Sequence, residues 1–191
     1  MKELLWPTGL GATLLLLLAA VARAENIPAT RLSLKGLEGV ALEVAEIQPD
    51  AARDGLSNTA IRSAVESRLR KAKIGLLTRD QKLRTPRRPS LCVNVATTRL
   101  DTGEYLYTVC LELTQWVALL TDPQATVGAA TPVPAKTWSP AGCFGIVPAD
   151  ELREDVDRVV GEMVDEFIDA FHMANPTESA FRAGKGKTSL R

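Results

Sequence analysis

The sequence is poor in the side chains that perform most enzyme chemistry. Its 191 residues include one histidine, His172, and three cysteines, Cys92, Cys110 and Cys143. A lone imidazole and three scattered thiols without C-x-x-C spacing do not supply the ligands of a zinc site. There is no excess of either charge, with 23 basic residues against 23 acidic ones, which argues against a general nucleic-acid binder. Gly186-Lys187-Thr188 imitates the end of a phosphate-binding loop, but Phe181 stands where that pattern needs glycine, and only three residues follow. Asp165 and Asp169 lie one helical turn apart without the loop carbonyls of a calcium cage, so they read as a solvated helix face. No catalytic residue, cofactor or metal site is expected from these patterns.

What is present is a globular composition, 46% apolar and 24% charged, with an amino terminus built for export. Lys2 precedes an apolar run from Leu10 to Ala22, and Ala22-Arg23-Ala24 offers the small side chains that a signal peptidase accepts. The uncharged stretch falls short of the roughly 20 residues of a spanning helix. Residues 1–24 are therefore read as a signal peptide, cleavage being favoured over retention as an anchor, and the mature form does not span a membrane. The expected location is periplasmic or secreted. With Lys2, Arg23 and Glu3 removed, 21 basic and 22 acidic residues remain.

Beyond the leader, the patterning describes one domain over 25–175. Val40, Leu42 and Val44 alternate with Ala41, Glu43 and Ala45, the period of a strand with one buried face. Ser57 is placed to cap a helix on which Ile61, Val65, Leu69 and Ala72 recur at helical spacing. Ile74, Leu76 and Leu77 give a second strand, parallel to the first because a helix connects them. The strongest local pattern is a hairpin. Leu91, Val93 and Val95 form the apolar face of one arm, and Tyr105, Tyr107, Val109, Leu111 and Leu113 that of the other. Asp101-Thr102-Gly103 supplies a three-residue turn with Gly103 left-handed, which sets Leu100 against Glu104, Cys92 against Glu112 and Asn94 against Cys110.

A return strand within Lys136 to Val147 is expected beside the long arm, placing Cys143 near Cys110. A Cys110–Cys143 disulfide follows, with Cys92 left free. A last helix opens near Asp150, shows one apolar face from Leu152 to Phe171, and stops at Asn175-Pro176. Residues 176–191 read as a disordered tail. The expected fold is α+β: a two-layer sandwich in β-α-β-β-β-β-α order, with a mixed sheet of four or five strands and two amphipathic helices on one face.

The segment from Ala60 to Gln81 carries Ala64-Val65 and Leu69 on a helix running into Lys73-Ile74-Gly75-Leu76-Leu77-Thr78-Arg79-Asp80. It resembles the helix-to-strand segment of amino-terminal α/β modules in bacterial envelope proteins of the Tol and curli-secretion type. That resemblance implies a periplasmic two-layer module that makes protein contacts and no catalytic role. Lys73 departs from it, since such turns often have Gly, and the lipoprotein cysteine of the curli-secretion type is missing.

Two functional readings stand side by side. In the first, the chain is an exported, non-catalytic envelope protein that binds another protein or associates with itself. Leu106 and Trp116 mark its partner surface, because they fall on the otherwise polar face of the long strand. Cover of Trp116 by the loop at 121–135 is the competing reading of that residue. The second is a small thiol-dependent enzyme or redox protein using Cys143 or Cys92. Ala141-Gly142-Cys143-Phe144-Gly145 has the small flanking residues of a nucleophile elbow, although its only base would be His172. A basic stretch over 62–88 and an acidic one over 150–169 read as two helix faces that attract each other, with binding of a polyanionic envelope component through 62–88 as a third option.

Overall fold

A computed structural model describes residues 28–118 and 131–176. The leader with residues 25–27, residues 119–130, which include most of the loop expected at 121–135, and all but the first residue of the expected tail lie outside the described residues.

Alternation of apolar and polar residues produces the strands β1 (Gly39–Val44), β2 (Gly75–Leu76), β3 (Ser90–Arg99), β4 (Tyr105–Ala118), β5 (Pro132–Trp138) and β6 (Cys143–Val147). They form one mixed sheet in the order β2-β1-β3-β4-β5, with β6 also pairing β4. β1 is parallel to both β2 and β3, and the other pairings are antiparallel. The expected return strand is two strands here. β5 pairs the second half of β4, from Leu113 to Ala118, and β6 pairs the first half, from Tyr105 to Val109. Ser139, Pro140, Ala141 and Gly142 separate them, which raises the strand count to six.

The β3–β4 register is the one the turn dictates. Cys92 faces Glu112, Asn94 faces Cys110, the Leu100 amide donates to the Glu104 carbonyl at 2.8 Å, and Gly103 has φ +90°. That conformation costs glycine little and other residues more.

Among the described residues five helices accompany the sheet: α1 (Pro28–Leu32), α2 (Pro49–Arg53), α3 (Asn58–Lys71), α4 (Arg79–Arg84) and α5 (Leu152–Ala174). α3 and α5 are the two amphipathic ones, and they pack on each other and on one face of the sheet. Ile61, Val65 and Leu69 of α3, with Val156, Val160, Val164 and Phe167 of α5, bury themselves against the odd-numbered side chains of β3 and β4. Trp138 from β5 closes that layer, its ring edge-on to Phe167 at 5.2 Å. A bridge of 2.7 Å from Arg68 to Asp165 joins the basic helix to the acidic one. Other basic side chains between 62 and 88 are held in the same way: Arg62 donates to the Leu42 carbonyl, Arg70 pairs with Glu66 and Lys82 with Glu43.

α3 begins where Ser57 accepts the Ala60 amide and ends in a Schellman motif. The Lys73 amide donates to the Arg70 carbonyl and the Ile74 amide to the Leu69 carbonyl. Lys73 itself sits at φ +59°, the position that glycine usually fills. A side chain there costs about 1–2 kcal/mol, against about 0.5–1 kcal/mol of extra unfolded-state entropy for glycine. Lys73→Gly is therefore expected to raise stability by roughly 0.5–1 kcal/mol, read as a higher urea midpoint with an unchanged m-value; a lower midpoint contradicts the strained turn.

Candidate interaction surface

Strand geometry sends successive side chains to opposite faces, and both long helices occupy one face only. Among the described residues no helix covers the other face of β3, β4 and β6, and its side chains can be placed row by row from the register. Asn94 neighbours Cys110. Ala96, Thr108 and Phe144 lie side by side, and Thr98, Leu106 and Ile146 form the next row. None of these eight side chains bears a formal charge. Phe144 is 77% exposed, Ile146 58% and Leu106 37%, so the apolar end of the surface lies where β6 meets β4. Full burial of one such side chain is worth about 1.5–3 kcal/mol, more than half of which is left unrealised at Phe144 and Ile146.

Leu106 and Trp116 both lie on this face, as the strand period requires, but in different surroundings. Leu106 belongs to the Phe144–Ile146 cluster. Trp116, 38% exposed, sits at the other end of β4, paired with Pro134, and the guanidinium of Arg88 lies over its ring at 4.6 Å. Such a contact contributes about 0.5–1 kcal/mol at an exposed site. Arg88 is placed by an unusual backbone, since Arg87 and Arg88 have φ of +64° and +43°. Hydrogen bonds hold this loop: Arg87 donates to the carbonyls of Ser33 and Lys35, and its own carbonyl accepts from the Trp116 amide at 2.7 Å. The part of the expected covering loop over residues 121–130 lies outside the described residues.

Phe144 and Ile146 are the surface residues that sequence reasoning missed. The segment is expected as part of a return strand, but of its residues only Cys143 is singled out, as a bridge partner or a nucleophile, and the alternation of Phe144 and Ile146 with Cys143, Gly145 and Val147 is left unused. The structure makes it a plain strand. Gly145 is required there, because a Cβ at that position would lie 2.7 Å from the Tyr107 ring.

The thiols are not where a bridge needs them. Cys143 pairs with Val109 on the helix side of the sheet, whereas Cys110 points to the open side, so the Cys110–Cys143 bridge is not formed; all three cysteines are free. Burial pushes the Cys143 thiol above its ordinary pKa, opposed by the charge of Arg158. Burial also raises Cys92, reinforced by the Glu43 carboxylate beside it. Glu43 accepts from Lys82 at 2.6 Å and from Ser90 at 2.9 Å. The hydrogen bond from Lys82 is the main reason that its pKa falls, with burial opposing. Neither thiol has the electropositive setting that makes a thiolate nucleophile. His172 lies exposed on the last turn of α5, its ring against Phe171. Among the described residues, no three His, Cys, Asp or Glu side chains converge as a metal ion would require.

The most strongly perturbed groups serve the core. The Tyr107 hydroxyl donates to Asp155, whose carboxylate also accepts from Arg158; first the tyrosine and then the arginine lower the Asp155 pKa. The Tyr105 hydroxyl donates to Asp54 at 2.7 Å. Burial, followed by these carboxylates, raises the pKa of both phenols.

No family model matches the chain, and no curated protein gives a significant match to it.

A tyrosine whose folded pKa is raised contributes stability that is complete below the unfolded value, near pH 10, and is lost as the pH climbs toward the folded one. The chain has two tyrosines, so ultraviolet titration at about pH 10.5 is expected to show less phenolate in the native protein than in urea, where both phenols ionise normally. One phenol titrating natively at its ordinary pKa would contradict the Tyr107–Asp155 or the Tyr105–Asp54 placement.

Proposed function

We propose that the chain is an exported, non-catalytic envelope module that binds another polypeptide through the open face of its sheet. The observation that supports this most is the uncharged patch where Leu106, Phe144 and Ile146 lie together on neighbouring strands; Leu32, Leu83 and Met173, also exposed, lie on helices α1, α4 and α5. Folded domains seldom leave such side chains clustered in water unless a partner covers them. Export is supported by the pattern of residues 1–24, and placement in the periplasm or outside the cell is part of the same proposal. No helix among the described residues is long and apolar enough to cross a membrane.

Site-specific photo-crosslinking in the native host tests the reading. A photoreactive residue at position 106 or 146 is expected to yield adducts with a polypeptide, whereas one at Glu162 or Asp169 on the exposed side of α5 is not. Adducts should disappear when Phe144→Lys is added to the position-106 probe. The same material is expected to begin at Glu25 on amino-terminal sequencing. Equal yields from both faces, or none from the open one, would overturn the interaction surface, and an intact Met1 in the cytosol would overturn export.

A further inference from the structure

We propose that a second copy of the same chain joins the edge of this surface, β6 to β6 in antiparallel register about Gly145, so that Phe144 and Ile146 of the two copies pack flank to flank and the two open faces become one. This rests on the open-face reading above and adds a self-pairing edge to it. Three observations lead to it.

The first is the state of the sheet's edges. β2 is two residues long, and β5 contains Pro132, Pro134 and Lys136, all devices that discourage strand addition. β6 has none of them: Cys-Phe-Gly-Ile-Val is uncharged and contains no proline. Its only strand partner among the described residues is β4 on one side, so its other row of backbone groups is open to a further strand.

The second is self-complementarity. A two-fold interface uses the same patch on both copies. An antiparallel pair centred on Gly145 overlaps all five residues and sets Phe144 of each copy opposite Ile146 of the other. Aromatic and β-branched residues pair favourably across strands, and this register makes that pair twice. The third is the neutrality of the surrounding rows, from Thr98 and Leu106 to Thr108, which bring no like charges together when the patch meets its own image. A strand of five residues buries less than the roughly 1,200 Å² of a stable interface, so the dimer is weak and concentration-dependent.

Sedimentation of the purified chain over a range of concentrations is expected to show a monomer–dimer equilibrium. Phe144→Lys and Ile146→Lys, each on an exposed side chain, should leave the circular dichroism and thermal midpoint unchanged and abolish the dimer. Independently, Phe144→Cys and Ile146→Cys are made in a chain whose native cysteines are serine, and the two are oxidised separately and mixed. The disulfide-linked dimer is expected from the mixture, in which the two thiols stand directly opposite, and not from either variant alone, where they are diagonal and about 7–8 Å apart by backbone. A monomer at about 1 mM, a dimer that survives both lysine substitutions, or crosslinking indifferent to mixing would overturn the pairing. If the purified chain is a monomer while positions 106 and 146 still crosslink to a different protein in the host, self-pairing fails and the open-face reading stands. If neither occurs, both fail.

Discussion

β4 is fourteen residues long and hydrogen-bonds to β3 along one edge and to β5 and β6 along the other. Its odd-numbered side chains from Tyr105 to Gln115 are all buried on the face where α3 and α5 pack. The two-residue period of a strand then leaves no choice for the even-numbered ones. Leu106, Thr108, Glu112, Thr114 and Trp116 are carried to the opposite side by the same backbone that forms the core. The open face is thus a consequence of one-sided helical cover, and the apolar residues on it are the part that packing within the described domain does not account for.

Much of this was legible because it is locally encoded. The period-two runs of β1, β3 and β4, the cap at Ser57 and the apolar stripe of α5 each depend on a few neighbouring residues. The hairpin register follows from the turn at Gly103. Two features were not legible for the opposite reason. The position of β6 beside β4 depends on pairing across the 119–130 connection, which fixes no register. A one-residue difference in that register moves Cys143 from the Cys110 face to the Val109 face, and the expected disulfide disappears with it. α4 was missed despite a readable sign: Thr78 and Gln81 form a reciprocal capping box, which the sequence reading, with no element between the second strand and the hairpin, left unused. Leu106 was found by alternation alone, whereas Phe144 and Ile146 became part of the same surface only once β6 was placed.

The most strongly perturbed polar groups among the described residues are paired. Tyr107, Asp155 and Arg158 form a chain of hydrogen bonds at the start of α5, and Glu43 gathers Lys82, Ser90 and Cys92 at the edge of β1. Both arrangements stabilise the neutral form of their titratable donors, tyrosine or thiol, which suits structure better than nucleophilic catalysis. The left-handed pair Arg87–Arg88 is the one strained stretch with a clear return. It ties the turn after α1 to β4 and holds a cation over Trp116, so the two ends of the open face differ: one aromatic is covered by a guanidinium, the other cluster is bare.

The most direct test of one-sided burial is a cysteine scan along β4 from position 105 to 116, with the native cysteines replaced, read as alkylation rate in the folded protein. The account predicts a strict alternation, with Leu106, Thr108, Glu112 and Thr114 positions reacting fast and Tyr105, Tyr107, Val109, Leu111 and Leu113 positions reacting only on unfolding. Slow alkylation at the even positions of the monomer would contradict it, because the face would then be covered by the chain's own residues.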